Sequence, residues 1–141
     1  MEVSDRAGRR FQLTWCTNVH PCPDRAGLAA MLQGPALRIR EKLGVAGSLG
    51  LGLWFSAGSA AELARDPAHL DELRERMRRG GFHLSTVNAF PMGPFHGERV
   101  KERVYTPDWS DERRLAYTVE VMEIAAALAA PGVILPVSTL P

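Results

Sequence analysis

The sequence predicts an α/β protein built from parallel strand–helix units, and three observations predict it. Segments of strand character alternate with segments of helical period along the 141 residues. The strand-like segments are short apolar runs, as a parallel sheet covered on both faces requires. The order β-α-β-α-β-loop-α-β joins neighbouring parallel strands by right-handed crossovers.

The first strand is Phe11 to Cys16, rich in aromatic and β-favouring residues. Asp24 caps a helix carrying Leu28, Met31 and Leu32; Gly34-Pro35 interrupts it, and Pro35 opens a second piece ending near Leu43-Gly44. Leu49 to Phe55 is the second strand, with Leu49, Leu51, Leu53 and Phe55 on one face and Gly50, Gly52 and Trp54 on the other. Ser59 with Glu62 has capping-box spacing. Asp66-Pro67 restarts a helix through Leu70, Leu73 and Met77, and Arg78 and Arg79 suit the negative end of its dipole.

Gly80-Gly81 stops that helix, and Phe82 to Asn88 follows as the third strand. The last helix starts near Ser110, with Asp111 and Glu112 in its first turn. Its apolar stripe is Leu115, Val119, Met122 and Ala126, flanked by Tyr117, Val121, Ile124 and Leu128, so nearly all of it can be covered. Val133 to Val137, ushered in by Pro131-Gly132, is the fourth strand.

Composition narrows the function classes. A formal net charge of +1 gives no whole-molecule field for nucleic acid or anionic membrane. The charged stretch from Met1 to Arg10 is no secretory signal. Ile124 to Val137 is broken by Pro131-Gly132 and Pro136 and is too short to span a bilayer, so a cytoplasmic location is expected. Cys16 and Cys22 then read as structural thiols, with Cys16 a small buried filler, against a reactive or metal-binding alternative.

Ligands of parallel α/β sheets bind at the carboxyl ends of the strands. Three loops qualify: Thr17 to Cys22, Ser56 to Ser59, and Ala89 to Trp109. The third is long for a compact domain, and Phe90, Phe95, Tyr105 and Trp109 mark it as ordered by packing. It offers polar groups at Asn88, His96, Arg99, Lys101, Arg103 and Asp108. In an extended segment Arg99, Lys101 and Arg103 share one side, as a phosphate or carboxylate clamp or as a solvated edge balanced by Glu98 and Glu102. His20 and His96 each follow a strand end, where they fit acid/base or metal chemistry or simply bind loop backbone. His69 and His83 read as structural, and the glycine run from Gly44 to Gly52 precedes its strand, so it offers no helix N-terminus to a phosphate.

Four such units make half of a (β/α)8 barrel, whose usual length is about 250 residues. One partial TIM-barrel domain over residues 1–141, cut short after its fourth strand, is therefore expected. A chain that closes its core by dimerising, or a small self-standing α/β domain, is the alternative. The open edges of a half barrel invite self-association.

Three blocks carry a family resemblance: Leu13-Thr-Trp-Cys-Thr-Asn-Val-His-Pro21, Leu51-Gly-Leu-Trp-Phe-Ser56, and the long run from Asn88 to Trp109. With Ser138-Thr-Leu-Pro141 as the loop after strand four, the chain from about residue 11 resembles the N-terminal part of the EboE-type metabolite-traffic proteins. These lie within the xylose-isomerase-like, sugar-phosphate isomerase/epimerase TIM-barrel group. Cys22, where a glycine is usual, and Trp54, where a polar or basic residue is expected, depart from the pattern.

The resemblance implies a longer barrel serving export of secondary or prenylated metabolites. It implies a polar, phosphorylated or prenylated small molecule as partner. Any activity would be isomerase- or epimerase-like, using a divalent metal (Mn, Mg or Zn) with carboxylates from later strands; the alternative is a non-catalytic carrier or scaffold. In that setting His20 and His96 are the catalytic candidates. Asn18, Asn88, Arg99, Lys101 and Trp109 are the substrate-binding candidates.

Overall fold

A computed structural model describes residues 2–93, 96 and 102–139. It opens with a hairpin of β1 (Glu2–Ser4) and β2 (Arg10–Gln12), paired antiparallel. Asp5 holds the turn by accepting from the backbone N–H of Ala7 and of Arg9, both at 2.9 Å. The expected strand from Phe11 to Cys16 is thus two strands in different sheets. The chain leaves the hairpin at Leu13, and only β3 (Thr14–Cys16) joins the main sheet.

That sheet has four parallel strands in the order β3-β4-β5-β6, with β4 at Leu49–Trp54, β5 at Phe82–Asn88 and β6 at Val137–Ser138. Each strand lies beside its predecessor in sequence. β6 is much shorter than the expected Val133 to Val137: Pro136 O accepts from Val87 N–H at 3.0 Å, and the ladder register then covers only Val137 and Ser138. The register of β4 on β5 slips between Leu51 and Gly52, so Ser85 is an extra residue. That slip lets His83, Ser85, Thr86 and Asn88 share one face while Phe82, Leu84 and Val87 remain on the other.

Helices cover the apolar face. α1 (Arg25–Met31) is capped by Asp24, whose carboxylate accepts from Gly27 N–H at 2.7 Å. Gly34-Pro35 does not break the helix as expected. A wider π-type stretch, Leu32–Ala36, accommodates Pro35 and runs straight into α2 (Leu37–Lys42). α3 (Ala57–Arg65) is capped by Ser56 rather than by Ser59; the Ser56 hydroxyl accepts from Ser59 N–H at 3.0 Å. α4 (Pro67–Gly80) starts at the expected Asp66-Pro67 and ends on Gly81, whose φ of 68° is the left-handed cap.

α5 (Glu112–Leu128) is capped by Asp111, and the Arg113 guanidinium beside that carboxylate lowers its pKa to about 2. Its buried side is Arg114, Tyr117, Thr118, Val121, Ile124 and Ala125. The expected stripe is therefore on the wrong side: Leu115, Val119 and Met122 are exposed. The core is the layer between sheet and helices, with Leu49, Leu51, Leu53, Leu84 and Val87 facing Leu28, Leu32, Leu63, Val121 and Ile124.

The opposite face of the sheet is small and polar, not apolar as a sheet buried on both faces would be. Gly50 and Gly52 keep the middle strand low there. A Cβ at Gly50 would lie within 3.2 Å of Thr14 Oγ1, and one at Gly52 would lie 2.9 Å from Thr86 Cγ2. Across this channel Asn88 Nδ2 donates to Cys16 Sγ at 3.1 Å, joining β5 to β3 over the back of β4. Gly52→Ala is expected to destabilise the chain by about 1–3 kcal/mol through overpacking. Urea unfolding checks this, and a stability within 0.5 kcal/mol of wild type would show that the channel yields.

No helix among the described residues is long and apolar enough to cross a membrane.

Candidate functional site

The carboxyl end of the sheet is organised by backbone carbonyls that find side-chain donors. After β3 the chain makes a single 3-10 turn, Thr17–Val19. Thr17 is buried; its hydroxyl donates to Gly52 O at 3.1 Å and accepts from Trp54 N–H at 3.2 Å, fixing the turn against β4. The turn thereby sets Asn18 at the mouth of the polar channel, where its carbonyl meets His96, with His20 following at the end of the turn. His20 donates its backbone N–H to Thr17 O at 3.0 Å, and its ring lies edge-on to Trp15 with centroids 5.4 Å apart.

The loop after β5 folds back over this turn. Several carbonyls among its described residues have identified donors. Ala89 O accepts from Arg114 Nη1 at 3.2 Å, and Pro91 O from the indole N–H of Trp54 at 3.0 Å. Met92 O accepts from Ala57 N–H, in the first turn of α3, at 2.7 Å. His96 reaches across to β3's turn, where Nε2 donates to Asn18 O at 2.9 Å; its ring also lies against Trp54, 6.2 Å between centroids. The Phe90–Pro91 and Thr106–Pro107 peptides are both cis.

The structure thus brings Asn18, Asn88 and His96 together around the channel mouth, with Trp54 as their floor. The Trp54 ring is buried, with its indole N–H on Pro91 O of the loop. His20 sits on the far side of the same turn, beside Trp15. Arg99 and Lys101, the clamp candidates, lie outside the described residues. Arg103 does not continue an extended segment; it begins a 3-10 turn, Arg103–Tyr105. Trp109 and Tyr105, expected among the aromatics packed in the loop, are half-exposed. Asp108 is also exposed, bonded to Ser110 N–H and hydroxyl at 2.9 and 2.6 Å.

The two described ends of the loop are held by a residue that the sequence pattern hides. Arg114, in the first turn of α5, is closed to solvent. Its Nε donates to Pro107 O at 2.9 Å while Nη1 takes Ala89 O, so one guanidinium grips both ends of the loop. It lies 5.7 Å over the Tyr117 ring. Burial lowers its pKa and raises that of Tyr117, whose hydroxyl donates to Phe55 O at 2.5 Å. Arg114 shares a helix face with Tyr117, Val121 and Ile124; an arginine in line with an apolar row was the available signal.

The thiols divide differently from expectation. Cys22 is the buried filler, its pKa raised to about 11 by burial and by Asp24, which leaves it unreactive. Cys16 is half-buried at the channel floor. His69 Nδ1 bonds Glu62 O at 3.0 Å, and His83 bonds Ser48 Oγ at 2.7 Å and Gln12 Nε2. Among the described residues no three His, Cys, Asp or Glu side chains converge as a metal would require. Of the protein-family models, curated proteins and solved structures compared with this chain, none matches it.

Proposed function

We propose that the chain forms the first half of a (β/α)8 barrel of the xylose-isomerase-like, sugar-phosphate isomerase/epimerase kind. Its channel mouth binds a polar, hydroxyl-bearing small molecule handled in metabolite traffic. One observation carries this reading: Asn18, Trp54, Asn88 and His96 converge at the carboxyl ends of three consecutive parallel strands. The strand order, each beside its predecessor, supports a barrel over a doubly wound sheet, whose order reverses at a switch point. Amide and imidazole groups around an apolar ring suit a polyol, which presents hydroxyls on its edge and C–H bonds on its face. Arg99 and Lys101, with Trp109 on the same loop in sequence, are the groups for a phosphate or a carboxylate on that ligand.

A divalent metal belongs to this reading only through later strands. His20 and His96 supply imidazoles, but the described residues do not assemble a metal-binding group around them, and no step is drawn through one. The second reading, a carrier that binds without chemistry, is favoured by His96, whose Nε2 is committed to Asn18 O rather than presented to a ligand. Thermal-shift titration with a pentose phosphate, a pentitol and inorganic phosphate tests the binding reading. Wild type is expected to be stabilised by the pentose phosphate. Asn88→Ala should bind it about tenfold more weakly, the loss of one hydrogen bond. No stabilisation by any of the three at about 10 mM would contradict the reading.

A further inference from the structure

We infer that the amino end of the sheet, opposite the channel mouth, holds a second binding site, for a neutral small molecule with a hydroxyl or carboxamide head and an apolar body. The first observation is a cavity of about 510 Å³ at that end, a size that takes a small ligand. It lies between the last turns of α4, the start of β5 and the chain that follows α5. Met77, Phe82, Leu84 and Leu128 give it apolar walls, and Val133 and Ile134 line it from the segment leading to β6. That segment is pinned at both ends. Val133 N–H donates to Ala130 O at 3.1 Å, and Thr86 Oγ1 donates to Pro136 O at 3.0 Å.

The second observation is the set of polar groups that share this cavity, Gln12, Ser48, His83 and Ser85. The amide nitrogen of Gln12 only donates, so His83 Nε2 accepts from it. The ring proton then sits on Nδ1 and is donated to Ser48 Oγ at 2.7 Å. That leaves the Ser48 hydroxyl hydrogen as a donor and Gln12 Oε1 as an acceptor for a ligand head. Ser85, the extra residue of the β5 bulge, has its Oγ closed to solvent and without a hydrogen-bond partner. It shares the space over Gly50 with its neighbours: a Cβ there would collide with Ser85 Oγ and lie 3.2 Å from both His83 Nε2 and Thr14 Oγ1. A turn about its own Cα–Cβ bond brings the Ser85 hydroxyl to a head group in the cavity.

The third observation is charge, which selects a neutral head. Burial lowers the pKa of His83, so its imidazole is neutral at neutral pH. Arg74 and Arg78 also line the cavity, but their guanidinium groups are committed. Arg74 is held by Asp71 and by Ala127 O at 3.0 Å, and Arg78 by Glu75 at 2.7 and 2.8 Å. α4 and α5 both end at this cavity, and the negative ends of their dipoles disfavour a carboxylate or a phosphate further. The ligand class therefore differs from that of the channel mouth, where an anionic group is expected.

Titration of the whole chain with octanol, octanamide and octanoate, followed by two-dimensional amide NMR, tests this. Octanol and octanamide are expected to bind with a Kd of about 0.1–1 mM, moving the amides of Ser48 and of Phe82 to Ser85. Octanoate should bind at least about tenfold more weakly, because its charge meets no free cation. Ser48→Ala and Gln12→Ala, both at exposed positions, should each raise the octanol Kd about threefold to tenfold. A pentose phosphate should leave these amides unmoved, so octanol binding without pentose phosphate binding would support this site and count against the reading of the channel mouth. No movement at residues 82–85 up to the solubility limit of octanol would overturn the inference. So would octanoate binding as tightly as octanol, or an octanol Kd unchanged in both variants, which would mean apolar partitioning only.

Discussion

Arg114→Ala is expected to lower the stability of the chain by about 3–5 kcal/mol, in the range of a broken buried polar pair rather than of a surface charge. The substitution removes a fully buried side chain and leaves Ala89 O and Pro107 O without donors. Each stranded carbonyl costs about 1–3 kcal/mol, and the emptied volume adds to that. The loss is not offset by relief of an ion pair, since the partners are carbonyls and an aromatic face. Lysine should not rescue it, because one ammonium cannot span two carbonyls at opposite ends of a loop. Urea unfolding gives the magnitude, and tryptic cleavage after the exposed Arg103 reads the loop directly. Cleavage should accelerate in Arg114→Ala under conditions where the core remains folded. A variant as stable as wild type would mean that the loop is held elsewhere.

Trp54→Ala should cost about 3–5 kcal/mol, and Trp54→Phe about 1–2 kcal/mol. The difference separates two roles of one side chain. The ring fills the space between the end of β4 and the returning loop, next to His96. The indole N–H satisfies Pro91 O, and phenylalanine keeps most of the first role while losing the second. Both variants should also lose affinity for a pentose phosphate, Ala more than Phe, because His96, which holds Asn18 O, lies against the same ring. Equal stability of the two variants would assign the whole effect to the hydrogen bond.

Much of the architecture was readable because its determinants are local. Asp24 and Asp66 each cap the helix that the sequence places after them, Asp111 caps α5 where the sequence reading put it one residue inside the helix, and Gly81 ends α4 in the left-handed conformation that glycine tolerates. β5 matches its expected bounds because Gly80-Gly81 fixes its start. What failed depends on contacts distant in sequence. Phe11 and Gln12 read as a continuation of Thr14–Cys16, yet they pair with Val3 and Glu2 across a turn set by Asp5. Ser59 has the spacing of a cap, but Ser56 lies at the true junction with β4, and its hydroxyl also donates to Pro23 O at 2.6 Å.

The two largest misreadings share one cause, the assignment of α5's inner face. Hydrophobicity alone favours Leu115, Val119 and Met122, whereas the core takes Tyr117, Val121 and Ile124 together with a charged Arg114. Binary patterning assigns an arginine in a first turn to solvent, so the residue that clasps the candidate site was invisible to it. The placement of Asn18, Asn88 and His96 at the carboxyl end of the sheet was readable because each follows or ends a strand. Their dependence on Thr17, Trp54 and Arg114 was not, since those roles consist of bonds to carbonyls in other segments.

The central claim is that the loop after β5 is fastened over the carboxyl end of the sheet by Arg114 below and Trp54 above. Hydrogen exchange of the tryptophan indole N–H groups, followed by NMR in wild type and Arg114→Ala, tests it most directly. The Trp54 indole, buried and bonded to Pro91 O, should exchange far more slowly than that of the half-exposed Trp109, and should lose that protection in Arg114→Ala. A Trp54 indole that exchanges as fast as Trp109 in the wild-type chain would contradict the account.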